Sequence, residues 1–458
     1  MTLQAKIDSV IRFRAADISP ADLESLRARL TFSNPAYESA SKFGKRRIPH
    51  GIPRTICLLE RTAEGVTIPR GAVNLLREVT GGDVRFENAL VRFEPSPFEF
   101  RFSLRDYQAE AVGALADRVQ GVAVCPCGSG KTVIGAGLIA RIGQPSLVLV
   151  HSLDLIEQWR GTIKGALGID AAVIGGGQNE AGPVTVGMVQ TLDKWAPSAL
   201  HELGKYFGAV VVDECHHIPA STFRGILGAL PAQWRIGLTA TPKRADGLTP
   251  LLDLCIGPEV FRMTHDRLVK DGYLVVPRVE FVQTGCTTPE AKDHGAMISE
   301  LVKNEKRNRL IRDLAARDAR DGRTVLILSG RVQHCIDLAA ELKAVGIDAE
   351  AVTGEAKKED RQAILDRFRA GELSVVCATQ LADEGLDVPR LDRIVLATPS
   401  RAEGRTIQRL GRIMRPHADK EPPILYDLVD SSPIARSQQY ARRCAYREVL
   451  GSCSMSIT

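Results

Sequence analysis

The sequence predicts an α/β protein: two tandem parallel-sheet domains preceded by a small α+β N-terminal domain. Three observations predict it. Short, near-continuous apolar runs alternate with amphipathic segments from residue 102 onward. Near residue 263 the alternation breaks and then restarts, so there are two such sets. The first hundred residues follow neither pattern and are richer in aromatic and basic side chains. Strands apolar on both faces and separated by helices belong to parallel sheets covered on both sides. The expected division is residues 1–101, 102–262 and 263–458, which agrees with a length sufficient for two to four domains of ordinary size.

Within the N-terminal part, residues 17–30 open on an acid and Pro20 and then place Leu23, Leu26 and Leu30 at helical spacing. Residues 84–86 and 89–93 alternate as short strands. Pro95 and Pro97 mark the end of this part. Lys42, Lys45, Arg46 and Arg47 form a basic cluster suited to nucleic-acid phosphates. Tyr37 and Phe43 beside it read as a small aromatic core rather than a base-stacking platform.

The second part contributes strands at 121–125, 146–151, 184–187, 208–213 and 235–239, with helices at 130–142 and 153–164. Residues 263–272 read as a connecting helix. The third part contributes strands at 324–328, 349–352, 374–378, 393–397 and 424–429, with helices at 332–345 and 358–370.

Composition narrows the class without choosing a function. A net charge of +5 permits a polyanionic partner but does not require one. The 10 cysteines include no CxxC pair, which argues against a zinc ribbon. Cys57 and Cys377 fall inside or beside strands, as small buried residues do in a reducing cytosol. No apolar run approaches the ~20 residues of a membrane span, and no secretory h-region follows Met1. The expected location is the cytoplasm of a bacterial or phage-infected cell, with no membrane contact.

The most informative stretch is Cys125-Pro126-Cys127-Gly128-Ser129-Gly130-Lys131-Thr132. An apolar strand enters a glycine-rich turn and leaves as a helix, so backbone N–H groups and the helix N-terminus form an anion cradle. In it Lys131 would reach the β- and γ-phosphates and the Thr132 hydroxyl would bind Mg²⁺. Asp213 and Glu214 follow the 208–212 strand, at the sheet edge where α/β folds place ligand chemistry. Asp213 would hold the metal, and Glu214 would deprotonate the attacking water.

With these motifs in order, the chain resembles the DEAD/DEAH-like class of superfamily 2 helicases over residues 102–430. The resembling segments are Leu104-Arg105-Asp106-Tyr107-Gln108, His151 to Leu155, Gly187 to Leu192, Thr239-Ala240-Thr241-Pro242, Ala378-Thr379, Asp383 to Pro389 and Gln408 to Arg415. The resemblance implies two RecA-like domains, ATP and Mg²⁺. It implies ATP contacts from Arg105, Gln108 (which reads adenine), Cys127, Gly128, Ser129, Gly130, Lys131, Thr132, Gly385 and Asp387. It makes Glu214, Gln408, Arg412 and Arg415 catalytic. Arg412 and Arg415 stand one helical turn apart and can meet the charge that spreads over a transferring phosphate. Supplying them from the other domain ties hydrolysis to closure of the cleft, and such a finger is worth roughly 10³–10⁵ in rate.

The resemblance also puts Ser152, Gln190, Thr191, Lys243, Arg244, Ser329, Arg331 and Thr379 on the nucleic-acid face. Short hydroxyl and amide groups there grip phosphate without reading sequence. Residues 241–247 and the Gln158-Trp159 pair look like phage UvsW-type branch-migration helicases and the repair translocases of the xeroderma type. Residues 33–37, 43–44 and 47–49 resemble the front domain of that group. Two positions depart from the pattern: Cys125 opens the phosphate loop, and His151-Ser152 stands where Pro-Thr is usual.

The implied function is an ATP-dependent DNA helicase or translocase acting on duplex or branched DNA. Two alternatives stay open. One is an RNA helicase, since nothing in the chain reports on the 2′-hydroxyl. The other is the motor subunit of a defence assembly whose nuclease comes from a partner.

Overall fold

The computed structural model describes residues 2–457 other than 43–51, 64, 127, 218–219, 241–246, 290, 380–387, 400–412, 415, 418–419 and 451–454. Cα packing separates a first compact unit, residues 1–125 with 130–263, from a second, residues 126–129 with 264–458.

The first unit carries an eight-stranded sheet. Its order is Gln178–Asn179, Ala172–Gly175, Val184–Met188, Ser146–Val150, Ala209–Asp213, Trp234–Thr239, Gln120–Val124 and Glu259–Arg262. All pairs are parallel except the hairpin that adds Gln178–Asn179. The strands SLVLV and AVVVD are buried at every position, as β-branched runs covered on both faces must be. One strand, Trp234–Thr239, separates the phosphate-loop strand from the one ending in Asp213.

The N-terminal residues form a separate five-stranded sheet ordered Glu60–Thr62, Gly65–Pro69, Val10–Phe13, Leu3–Ile7 and Val84–Asn88. The helix Pro20–Arg29 starts as the sequence expects, with the Ser19 hydroxyl accepting from the Asp22 N–H and proline in the first turn. Residues 89–93 are not a strand: Val91 makes only an isolated bridge to Ala232. That segment is held by single hydrogen bonds to the neighbouring sheet instead: the Val91 N–H donates to Pro231 O, the Gln233 N–H donates to Val91 O, and the Gln144 side chain bonds both backbone groups of Phe93. The strands at 3–7, 10–13, 60–62 and 65–69 have no counterpart in the sequence reading, being only three to five residues long.

This small sheet shares its core with the larger one. Leu248 and Leu251 pack with Leu26, Leu30, Ile68 and Leu76. Arg70, only 1% exposed, donates to Gln120 Oε1, Val119 O, Ala232 O and Gln233 O at the starts of two sheet strands. Arg235, equally buried, donates to Ser9 O, Cys255 O, Leu227 O and Leu230 O.

The second unit carries a seven-stranded, wholly parallel sheet ordered Ala349–Val352, Val375–Ala378, Val325–Leu328, Arg393–Leu396, Ile424–Val429, Arg278–Gln283 and Met455–Ile457. The last two strands are additions to the expected set. The expected helix at 263–272 is a shorter helix, His265–Lys270, preceded by the strand Glu259–Arg262. The core combines Val325, Ile327, Val375, Cys377 and Val395 with Cys335, Leu338 and Leu342 of the helix Val332–Ala344.

Candidate ATP site and nucleic-acid face

The strand Gln120–Val124 ends at Cys125, and the helix Lys131–Ile142 begins at the lysine. Between them Gly128 and Gly130 adopt φ of 86° and 78°, left-handed values that side chains resist. A Cβ on Gly130 would meet Gln108 Nε2 at 2.6 Å. The Gln108 amide therefore lies directly over the phosphate loop. Its Oε1 accepts from the Arg105 N–H at the start of the helix Asp106–Ala116. The structure thus brings Arg105, Gln108 and the loop together. Cys125 is buried and its thiol is pushed up to about 12, so it stays a neutral packing group.

Lys131 Nζ lies 3.0 Å from Glu214 Oε1, with both side chains 12% exposed. Glu214 sits at φ 44°, the one non-glycine with positive φ among the described residues. Such backbone costs on the order of 1–3 kcal/mol and persists where surroundings impose it. Here the Glu214 N–H donates to Asp213 Oδ1, and Glu214 Oε2 accepts from the Ala240 N–H at 3.4 Å. His216 Nδ1 contacts Thr239 Oγ1 at 2.7 Å and Glu214 Oε2 at 3.5 Å. The acidic motif and the start of the Thr239-Ala240 motif are therefore one hydrogen-bonded cluster.

Asp213 is buried at the end of its strand. Burial first, and then the Glu214 charge, push its carboxyl up to about 6, against the pull of Lys131 and of the N–H groups of Trp159 and Glu214. Thr132 lies at the start of the loop helix. A hydroxyl and a carboxylate are hard oxygen donors, the set that holds Mg²⁺ together with phosphate oxygens and water. Two further side chains, not assigned a role by the sequence reading, reach this pair. Trp159 Nε1 donates to Asp213 Oδ2 at 2.8 Å, and Gln158 Nε2 donates to Thr132 Oγ1 at 3.1 Å. The Gln158-Trp159 pair is visible in the sequence, but nothing local points to its contacts 54 and 26 residues away.

The strands Ser146–Val150 and Val184–Met188 are parallel neighbours in register, so the motifs following them meet. Ser152 caps the helix Leu153–Leu167 by accepting from the Leu155 N–H. Gln190 Nε2 donates to His151 O at 2.7 Å, and Thr191 follows it in the short helix Val189–Leu192. In the second unit Ser329 and Thr379 follow the adjacent strands Val325–Leu328 and Val375–Ala378. Ser329, 3% exposed, is bonded to His334 Nδ1 at 2.9 Å. Arg331 is exposed, and its guanidinium donates to Gly330 O and Gly295 O. Cys127, Lys243, Arg244, Gly385, Asp387, Gln408, Arg412 and Arg415 lie outside the described residues, as do Phe43, Lys45, Arg46 and Arg47.

A phosphate loop and an acidic motif on strands one apart in a parallel sheet, followed by a second parallel-sheet unit, define a two-domain P-loop ATPase. Residues 101–244 match the family described as type III restriction enzyme, res subunit, and residues 305–417 match the helicase conserved C-terminal domain. The chain is 29% identical over 379 residues to the DNA 3'-5' translocase XPB2 of Sulfurisphaera tokodaii, covering 74% of this chain and 84% of that one. It is 29% identical over 357 residues to the DNA 3'-5' helicase XPB of Kineococcus radiotolerans, where it spans 62% of the relative's length. Among solved structures, a fragment of a putative HsdR subunit of a type I restriction enzyme from Vibrio vulnificus superposes with TM-score 0.59 at 19% identity, covering 78% of this chain and 69% of that one. The chain carries in order two domains of the kind found in superfamily 2 helicases, and it is an ATP-hydrolysing enzyme with a nucleic-acid partner. Among the described residues no helix is long and apolar enough to cross a membrane.

Proposed function

We propose that the protein is an ATP-dependent DNA helicase or translocase that moves on duplex or branched DNA with 3'-5' polarity. The observation that carries this reading is the Lys131–Glu214 contact at 3.0 Å beside Asp213 and Thr132. An ATP site needs an ammonium for phosphate, a base and oxygen donors for a metal close together, and this contact supports that reading. The polarity and the DNA come from the relatives, whose names carry both.

In this reading Lys131 leaves Glu214 to meet the β- and γ-phosphates, and Glu214 is freed to take the proton of the attacking water. Thr132 and Asp213 hold Mg²⁺, which supplies charge neutralisation at the phosphates. Arg105 and Gln108 hold the base, and the turn 127–130 cradles the phosphates through its N–H groups. Gln408, Arg412 and Arg415, with Gly385 and Asp387, act on the nucleotide from the second domain, so hydrolysis follows closure. Ser152, Gln190, Thr191, Lys243, Arg244, Arg331 and Thr379 meet the nucleic-acid backbone, whereas the buried Ser329 holds the loop before Arg331 through His334. Residues 1–101, 102–262 and 263–458 serve as DNA-binding accessory, ATP-binding and C-terminal helicase domains.

Steady-state ATP hydrolysis by wild type and Lys131→Ala, with forked DNA, single-stranded DNA and RNA, tests this. Forked or duplex DNA should stimulate wild type more than RNA does. Lys131→Ala should lose on the order of 10²–10³ or more in rate. Stimulation by RNA alone would contradict the DNA assignment, and normal turnover by Lys131→Ala would contradict the site.

A further inference from the structure

Trp159 and Gln158 are neighbours on the helix Leu153–Leu167, yet each reaches a different member of the metal-binding pair. The Trp159 indole is fully buried, and its N–H donates to Asp213 Oδ2 at 2.8 Å. The Glu214 N–H occupies Asp213 Oδ1 at 2.9 Å. Each carboxylate oxygen thus has one fixed donor, which sets the plane of the carboxylate and leaves further lone pairs for a cation or its waters. Gln158 Nε2 donates to Thr132 Oγ1 at 3.1 Å, which fixes the hydroxyl while leaving it a lone pair.

The fold makes room for this indole at a cost. Gly135 lies one turn beyond Thr132 in the loop helix, and a Cβ there would stand 2.3 Å from Trp159 Cη2. Glycine inside a helix costs about 1 kcal/mol relative to alanine. Leucine or phenylalanine could fill a buried volume, but neither brings a donor to this depth beside a carboxylate, as the indole does. Of the two contacts the buried one is the stronger, because an N–H to a carboxylate is charge-assisted and its loss leaves that oxygen unpaired. Gln158 is exposed, so its bond competes with water.

We infer that Trp159 and Gln158 are positioning residues for the catalytic metal: they hold Asp213 and Thr132 in the orientation that receives Mg²⁺, with Trp159 dominant. This rests on the proposed role of Thr132 and Asp213 as metal-holding residues. Partners of metal ligands that act in this way change metal affinity roughly 10–100-fold when removed.

The test uses the full chain and a fluorescent ADP, titrated in EDTA and across a range of Mg²⁺ concentrations. Trp159→Phe should keep its ADP affinity in EDTA within about twofold, whereas its half-saturating Mg²⁺ should rise roughly 10–100-fold. Gln158→Met should move the same quantity by about 2–10-fold, the worth of one neutral hydrogen bond. Asp213→Asn is the control and should abolish the Mg²⁺ dependence. If it does and Trp159→Phe behaves as wild type, the inference fails while the site stands. If Asp213→Asn keeps a wild-type Mg²⁺ dependence, the site itself is misassigned. Equal loss of ADP affinity with and without Mg²⁺ in Trp159→Phe means the indole only packs, which also overturns the inference. Should Trp159→Phe fail to fold by thermal melting, Gln158→Met decides alone, and an unchanged Mg²⁺ requirement refutes the proposal.

Discussion

Asp213 shows how a site residue can be set against the fold that holds it. Its carboxyl stands at about 6 because burial and the Glu214 charge disfavour the anion. A folded-state value raised above the unfolded one means that the native state holds this proton more tightly. The resulting penalty on stability is absent at pH below about 4 and complete above about 6. Asp213→Asn should therefore raise the melting midpoint at pH 7.5 by a few degrees and leave it unchanged near pH 4, while hydrolysis is lost; equal shifts at both pH values would contradict this. Glu214 carries the other expectation at this scale. Glu214→Gln keeps the shape but cannot accept the water's proton, so nucleotide should bind while turnover falls about 10²–10⁴-fold. Loss of binding would point to a structural role instead. Lys131, Thr132, Asp213 and Glu214 could be singled out from the sequence because each sits in a short motif of adjacent residues, and the structure brings Lys131 and Glu214 within 3.0 Å. Trp159, His216 and Thr239 were not given their contacts, because those contacts join residues 54 and 23 apart.

Most strands of the two large sheets were legible as elements, because buried parallel strands such as SLVLV and AVVVD leave unbroken apolar runs, whereas helices such as Asp106–Ala116 and Glu305–Arg320 were not read. The N-terminal sheet was not, because strands of three to five residues carry too little alternation to stand out. Its attachment was also invisible, since Arg70 reads as an ordinary surface arginine. In the structure that guanidinium is buried and donates to Gln120 Oε1 and three backbone oxygens, two of them more than 160 residues away. Burial among carbonyl partners lowers its proton affinity, with desolvation the leading cause, the Arg235 charge next and the Asp8 carboxylate opposing both. Arg70→Met should leave those acceptors unpaired and cost on the order of 2–4 kcal/mol. Arg85, exposed on the strand Val84–Asn88, should tolerate the same change within about 0.5 kcal/mol. Denaturant unfolding of both variants checks this, and similar losses would mean that Arg70 anchors nothing.

The chain as a whole repeats one architecture, a parallel sheet with chemistry at the carboxyl ends of its strands. In the first unit those ends carry Cys125, Asp213, Thr239 and Met188; in the second they carry Ser329 and Thr379. The order of motifs made this legible from sequence, because each motif follows an apolar strand. The proposed coupling of the two units is assigned to Arg412 and Arg415, three residues apart in the sequence. Hydrolysis at the first unit is expected to depend on these two arginines. Lysine keeps their charge but loses the planar fork that clamps two phosphate oxygens. Transition-state charge should suffer more than ground-state binding. The decisive measurement is steady-state ATP hydrolysis by Arg412→Lys and Arg415→Lys, with and without forked DNA. Both variants should show a rate lower by on the order of 10³, little change in ATP affinity, and no stimulation of the residual rate by DNA. Normal, DNA-stimulated hydrolysis by both variants would contradict it.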